Sequence, residues 1–499
     1  MGNLSSRARR RRPTEEKSVS GLLSLEDLET KGYDIENLVF ANCGAEGFSY
    51  AGSMRVLEKL CLLERVKRFS GVGTGAIVAT LLAIGLDSKE LQVAFNEHLQ
   101  NVQNDDELGY ESFATNYTEH YGWNYGNHFF DWFDELLESK CFDKELTFLQ
   151  FYDKTDKELC LLVTNVNKLK LEYCHPKTTP DLPIKQALFM AISTPGVFAP
   201  TKYGSANDVS LYVTGALTCS YPVHSFDGWF LSMDSDDSFL NKLESPEMFY
   251  MPQVFDNRSP KTLGFFPLDK QKESSHVELV ERLASANADL KTPRTTLGLK
   301  YKCACQNRAT LAHKFSQLKK ACSTLLLLAE DLQDDQGNIP LNSFADKVFC
   351  DKSFTKSDRL LFPEIGRRPQ DLNAFLLTLA DEENSISQLR LKLFIQSKLL
   401  TLLNQYSSYY KTDINNLRSY FETVFDTTAF STIELSKLDY DRTVGIVCRH
   451  VGPQDVDFED DDQSFLYRQG WNATVCYFRN LLKPTDDSSG IKSESVNAD

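Results

Sequence analysis

Apolar positions along the chain follow two rhythms, and the points where they change mark out the elements. A compact apolar run, Leu38, Val39 and Phe40 within Ile35 to Ala41, predicts a short buried strand ending at Asn42, Cys43 and Gly44. Met54, Leu57 and Cys61 then recur at three- to four-residue spacing and predict a helix over Ser49 to Leu63. Val66 to Ser70 predicts a second strand, broken by Gly71, Gly73 and Gly75, and Ala76 to Leu86 an apolar helix. Strand, glycine turn and helix, twice in succession, predict an α/β domain with a mainly parallel central sheet.

Further strands are predicted at Leu159 to Thr164, Leu169 to Tyr173 and Leu211 to Val213, with a helix from Ile184 to Ile192 that stops before Pro195. From about Ser274 to Glu434 the period is helical. Ile386, Leu389, Leu393, Leu400 and Leu403 form an apolar stripe there, expected to be core rather than a partner surface. Arg442 to Cys448 predicts one more strand and Asp462 to Leu482 a closing helix. The implied division is a flexible tail over 1–34, an α/β domain over 35–273 plus 435–482, a large helical insertion over 274–434 and a disordered tail over 483–499.

Composition narrows the class. With 499 residues, 41% apolar and 25% charged, the chain can bury a substantial core. A net charge of −16 excludes a general nucleic-acid binder, so no nucleic-acid partner is expected. The twelve cysteines lack metal-like spacing; Cys303 and Cys305 have no second pair, so neither metal nor cofactor is expected and the thiols are read as reduced. No run of about 18 apolar residues is present to span a bilayer, and no secretory leader is read at the start.

The N-terminus changes that picture. Met1-Gly2-Asn3-Leu4-Ser5-Ser6 fits the myristoylation pattern, with acylation at Gly2, and Arg7, Arg9, Arg10, Arg11 and Arg12 follow at once. One acyl chain holds a protein to a bilayer only marginally; an adjacent basic cluster adds about 1 kcal/mol per residue near an anionic leaflet. The expectation is peripheral, lipid-anchored attachment to the cytoplasmic face of a membrane.

Three short segments carry the remaining signal. Asn42-Cys43-Gly44-Ala45-Glu46-Gly47 follows the first strand. Gly71-Val72-Gly73-Thr74-Gly75-Ala76 joins the second strand to an apolar helix. Tyr212-Val213-Thr214-Gly215-Ala216 is trailed by Tyr221-Pro222-Val223. Together, and in this order, they resemble the patatin-like phospholipase family: its glycine-rich oxyanion loop, its GxSxG nucleophile elbow and its strand-borne Asp-Gly-Gly/Ala motif. Thr147-Phe148, Thr164-Asn165 and Thr194-Pro195 look like the family's segments before that last motif, Thr262-Leu263-Gly264-Phe265 also fits, and Asp441-Arg442-Thr443-Val444 and Gly470-Trp471-Asn472 resemble its final strand and helix. The resemblance implies a three-layer α/β/α domain interrupted by the helical insertion.

It also implies where the chemistry should sit, and there the residues depart from the pattern. Gly73 stands at the nucleophile position, Thr214 at the aspartate position, and Asn42, Cys43 and Glu46 replace two glycines and an arginine of the oxyanion loop, leaving Gly44 and Gly47. Loss of a member of such a catalytic set lowers rates by about 10⁴ to 10⁶. Glycine adopts elbow angles without strain, so the turn is expected to persist without its nucleophile.

Cys43, Ser49, Ser53, Ser70 and Thr74 are the nearby hydroxyls and thiols; Cys43 reads as buried, Ser70 as facing away and Thr74 as a helix cap. His224 reads as a packing histidine, and Asp455, Asp457, Glu459, Asp460, Asp461 and Asp462 as a solvated face. The expected function is a catalytically inactive, membrane-tethered patatin-like protein. Its expected partners are membrane lipid, a lipid or fatty-acid ligand at the glycine-rich turn, and a protein on the insertion. The alternatives are an active lipid acyl hydrolase with a displaced nucleophile and a membrane-apposed structural or adaptor protein.

Overall fold

The computed structural model describes residues 24–99, 121–122, 126–205, 208–250, 252–268, 276–282, 290–365, 369–380, 385–407, 414–415, 417–431, 435–455 and 459–483. Gly2 and Arg7, Arg9, Arg10, Arg11 and Arg12, the expected lipidation and basic positions, lie outside them, as does Asp457. Two compact units are present: Met1–Gly298 with Asp413–Asp499, and Leu299–Thr412.

The first unit is built on a mixed sheet of eight strands: β1 Asn37–Phe40, β2 Arg68–Gly71, β3 Glu158–Asn165, β4 Lys170–Cys174, β5 Thr201–Ser205, β6 Asp208–Thr214 and β7 Thr262–Leu268, with an eighth, β10, defined below. A short antiparallel pair, β8 Asn338–Pro340 and β9 Ser385–Ser387, belongs to the second unit, and β10 is Thr443–Val447. The order is β10-β7-β1-β2-β3-β6-β5, with β4 also on β3. From β10 to β3 every pair is parallel; β4, β5 and β6 add antiparallel pairs. All residues of β1, β3, β7 and β10 are buried, as strands covered on both faces must be. This is the α/β, mainly parallel architecture expected; β5 was not legible in the sequence, because Thr201-Lys202-Tyr203-Gly204-Ser205 has no apolar alternation.

Five helices matter below: α1 Phe48–Lys59, α2 Thr74–Ala83, α3 Ile184–Ile192, α4 Gln388–Ser407 and α5 Asp460–Leu482. α1 and α5 touch backbone to backbone. A β-carbon on Gly52 would lie 1.9 Å from the Tyr467 carbonyl oxygen, and one on Gly470 would lie 1.8 Å from that of Ser49. Ser53 Oγ bonds the Gly470 carbonyl at 3.1 Å.

The chain returns to this unit after the insertion through β10, paired with β7 from Thr443↔Gly264 to Val447↔Leu268. Arg442, just before β10, makes a bidentate pair with Asp227, both contacts at 2.6 Å, and both residues are buried. The helices Val277–Arg282 and Leu417–Ser431 also belong here, so the second unit lies inside the 274–434 span drawn from the sequence. Leu279 packs beside Gly445, and Phe421 beside Gly196.

The second unit has its own apolar core, including Leu325, Phe344, Phe354, Phe362, Leu391 and Ile395. Here one expectation is overturned. Leu389, Leu393, Leu400 and Leu403 are exposed, and of the predicted stripe only Ile386 is core. α4 carries two apolar stripes, and the one through Leu391 and Ile395 is buried.

Candidate functional site

The strand-to-helix turn between β2 and α2 keeps the shape of a nucleophile elbow. Gly73 sits at φ 56°, ψ −126° as the N-cap of α2, a conformation that side chains strongly resist. Its flanking glycines are compressed. A β-carbon on Gly71 would lie 2.1 Å from the Gly75 carbonyl oxygen, and one on Gly75 would lie 2.3 Å from that of Phe40 at the end of β1. The helix therefore starts directly over the end of the neighbouring strand. Thr74 is the first helical residue rather than the expected cap; that position belongs to Gly73.

Asn42 fills the space that the missing nucleophile would take. Its own N–H donates to the Ser220 carbonyl at 2.9 Å, which fixes the backbone. Its Oδ1 accepts the Thr74 N–H at 3.3 Å, and a β-carbon on Gly73 would stand 2.1 Å from that oxygen and 2.6 Å from Cγ. In an elbow, the N–H after the nucleophile is a donor to the developing oxyanion. Here that donor is engaged by a side-chain carbonyl from the same chain.

The rest of the loop is closed as well. The Ala45 N–H donates to the Pro453 carbonyl at 2.9 Å, and the Glu46 N–H to the Cys43 carbonyl at 3.2 Å. Gly44 has φ +54° and lies so near Pro453 that a β-carbon would meet its carbonyl oxygen at 2.1 Å. Gly47 lies against Thr74, where a β-carbon would approach Cγ2 to 2.7 Å. Cys43 and Glu46 are buried. Beneath the loop, the Tyr50 hydroxyl donates to the Ala41 carbonyl at 2.8 Å; burial, then Cys43, holds its pKa well above the usual tyrosine range.

Thr214 closes β6 and is buried. Its Oγ1 accepts the Ala216 N–H at 3.2 Å, capping the turn Gly215–Leu217, and its carbonyl accepts from Thr164 Oγ1 at 3.0 Å. The end of α3 brings this residue and the elbow together. The Gly73 N–H donates to the Ala191 carbonyl at 3.2 Å, and the Thr214 N–H to the Ser193 carbonyl at 2.9 Å. The three segments singled out in the sequence thus converge, and α3 with Pro453 completes the frame.

Two of the substitute nucleophiles, Ser70 and Ser53, are engaged elsewhere. Ser70 Oγ donates to Ser225 Oγ at 2.9 Å, away from the elbow, and Ser53 faces α5. The neighbouring Cys160 thiol is pushed up to about 12 by burial. Ser49 is buried at the α1–α5 contact. His224 Nε2 lies 2.8 Å from the Tyr173 hydroxyl, and burial lowers its pKa. Asp462 contradicts its reading as solvated. It is fully buried, with Oδ1 2.8 Å from His450 Nε2 and accepting from Thr295 Oγ1 at 2.5 Å.

Among the described residues no cluster of three His, Cys, Asp or Glu side chains could hold a metal ion, and no helix is long and apolar enough to cross a membrane. An open groove of about 450 Å³ is lined by Leu86, Val93, His98, Trp132 and Leu136, among others. None of its lining residues belongs to the three segments.

Residues 38–227 match the family described as patatin-like phospholipase. The uncharacterized protein R571 of Acanthamoeba polyphaga mimivirus is 28% identical over 195 residues, which is 39% of this chain and 62% of that protein. The probable lipid hydrolase 463L of Invertebrate iridescent virus 6 is 23% identical over 189 residues, 38% of this chain and 62% of that protein. Among solved structures, VipD from Legionella pneumophila aligns over 90% of this chain and 67% of its own, with 14% identity and a TM-score of 0.39. The matches therefore span less than two thirds of either viral relative. Residues 38–227 are thus similar to a patatin-like phospholipase domain, in agreement with the resemblance read from the three segments.

Proposed function

We propose that this chain is a catalytically silent patatin-like protein, held at the cytoplasmic face of a membrane by a myristoyl group on Gly2 and the arginines from Arg7 to Arg12, and acting there by binding lipid or protein. The observation that carries the silent reading is the Asn42 amide, which stands where a nucleophile would project and accepts the Thr74 N–H. An attacking oxygen and an acyl carbonyl need that volume and that donor at once. Thr214 has no carboxylate to take up a proton near neutral pH, and its hydroxyl is used as a turn cap. The apolar groove beside Trp132 and Leu136 is the opening that supports lipid binding.

Two measurements test this. Purified chain treated with a fluorophosphonate probe should take up no label, and phospholipid vesicles incubated with it should release no fatty acid above the buffer rate. Labelling abolished by one substitution at Cys43, Ser49 or Thr74 would establish a displaced nucleophile instead. For the tether, incorporation of an alkynyl myristate analogue in cells should disappear in Gly2→Ala; incorporation unchanged by that substitution would refute it.

A further inference from the structure

The turn joining β3 to β4 places a leucine where leucine is least at home. Val166, Asn167, Lys168 and Leu169 make this turn, and Leu169 has φ +52°, the left-handed region that glycine and asparagine occupy most readily. Its side chain is 88% exposed, so no packing within the chain repays the conformation. The turn is nonetheless fixed. The Lys168 N–H donates to Asn165 Oδ1 at 3.0 Å, the Val166 N–H to the Leu211 carbonyl at 2.9 Å, and the Leu211 N–H to Asn167 Oδ1 at 2.7 Å.

These bonds tie the turn to the middle of β6, and Lys168 Nζ adds an ion pair at 3.1 Å with Asp208 at its start. The β5–β6 hairpin thus brings a second exposed apolar residue alongside, Val209, and Val166 is partly exposed too. Pairing of Lys202 with Leu211 and of Gly204 with Val209 puts Lys202 on the Val209 face. Lys170, paired with Asn165 opposite Tyr212, lies on the other face, so lysines flank the tips on both sides: Lys168, Lys170 and Lys202, against Asp208 and Glu172. Glu172 accepts from Asn165 Nδ2 and the Tyr212 hydroxyl at 3.2 and 3.1 Å, which holds its carboxylate back in the sheet behind the turn. In a chain of net charge −16, three lysines against two carboxylates leave a local excess of one positive charge.

Position adds to chemistry. β3 runs parallel to β2 with Leu161 opposite Gly71, then continues to Asn165, so its turn projects from the sheet end that bears Gly73. Fixed apolar tips flanked by lysines match the interfacial zone of an anionic bilayer, where the acyl boundary takes the apolar side chains and the headgroups take the ammonium groups.

We infer that the paired hairpin tips, Val166, Leu169 and Val209 with Lys168, Lys170 and Lys202, form a contact surface for an anionic lipid bilayer, distinct from the N-terminal lipid anchor. The inference rests on the membrane reading given above but not on acylation.

The test uses full-length Gly2→Ala protein, which cannot be acylated, floated with phosphatidylcholine vesicles with or without phosphatidylserine. Binding is expected only with phosphatidylserine, and Leu169→Asp should weaken it at least about tenfold. Leu169→Gly separates this from loss of fold: the left-handed turn relaxes, so the melting temperature should hold or rise while vesicle binding falls. Equal binding by Leu169→Gly and its parent, or equal binding to neutral vesicles, overturns the proposal. So does concentration-dependent dimerisation abolished by Leu169→Asp, which would make the tips a self-association surface. If acylated protein floats and the Gly2→Ala protein does not, the tips fail and the anchor stands. Flotation of both, with no myristate incorporated in either, would be the reverse.

Discussion

Asn42 and Gly73 are complementary in volume: the Asn42 amide reaches to 2.1 Å from where a β-carbon on Gly73 would stand, and its oxygen holds the Thr74 N–H. A glycine at position 42 would leave a gap over the elbow, and a side chain at position 73 would collide with the amide. The two departures from the family pattern therefore support one another, whereas either alone would disturb the turn.

A thermodynamic cycle should detect that coupling. Gly73→Ala is expected to destabilise the protein by about 2–4 kcal/mol, from the positive φ and from displacing Asn42. In an Asn42→Gly background the collision is gone and only the backbone strain remains. Urea unfolding of the two single variants and the double should give a coupling energy of about 1 kcal/mol or more. Additive effects would mean that Asn42 swings aside freely.

How far this site could be read from sequence divides along physical lines. The turn at Gly71, Gly73 and Gly75 was legible because close backbone approach leaves a glycine signature between a strand and an apolar helix. Asn42 as the occupant was not, because the direction of its side chain depends on the bond from its N–H to Ser220, far away in the chain. Periodicity picked out the stripe from Leu389 to Leu403 on α4, but the core faces the other one, through Leu391 and Ile395, because burial is decided by the neighbours that the fold supplies. Asp462 was misread because an acidic run looks solvated until its partners, His450 and Thr295, are brought to it by the fold.

The Asp227–Arg442 pair should be a strong determinant of stability, since it joins residues on opposite sides of the insertion and both partners are buried. Asp227→Ala leaves the guanidinium with Asp439 alone, and a loss of about 3–5 kcal/mol is expected. Replacing both partners with leucine should lose much less. Urea midpoints for the three variants decide this; an equally damaging double variant would show that the pair supplies more than charge compensation.

Contact between α1 and α5 depends on Gly52 and Gly470. Alanine at either would drive a β-carbon into a carbonyl oxygen, so the helices must separate. Each substitution should destabilise the protein by about 2–3 kcal/mol, although alanine favours an isolated helix by about 1 kcal/mol. Calorimetry on Gly52→Ala and Gly470→Ala gives the sign directly, and a rise in melting temperature would contradict the close contact.

His175 predicts an acid-sensitive fold. Its Nδ1 accepts the Lys177 N–H at 3.2 Å, so the ring proton resides on Nε2 and is donated to Glu158 at 3.1 Å. Burial lowers the pKa of His175 more than Glu158 raises it. Below the unfolded value of about 6.5 the unfolded chain takes a proton that the native ring resists, so stability is full above that pH and falls beneath it. Glu158 acts at lower pH: burial opposes its charge, but His175 and Arg68 hold its pKa down, so its contribution is lost as the carboxylate protonates. His175→Gln should flatten the decline between neutral pH and about pH 5. An unchanged slope would place the acid response elsewhere.

Restoring chemistry requires three changes rather than two. Gly73→Ser supplies a nucleophile and Thr214→Asp a base, and aspartate at 214 can keep accepting the Ala216 N–H, as a good cap residue does. With Asn42 in place, however, the introduced hydroxyl has no room and the Thr74 N–H remains engaged, so the two-residue variant should stay unlabelled by a fluorophosphonate. Adding Asn42→Gly opens the volume and frees that donor, and labelling at position 73 is then expected. Turnover should remain slow, because the Ala45 N–H still bonds the Pro453 carbonyl, and a missing oxyanion donor lowers rates by about 10² to 10³. Equal labelling of the two- and three-residue variants would show that Asn42 does not block the site. Labelling of neither, in protein that folds, would place the obstruction in the loop closed by Pro453.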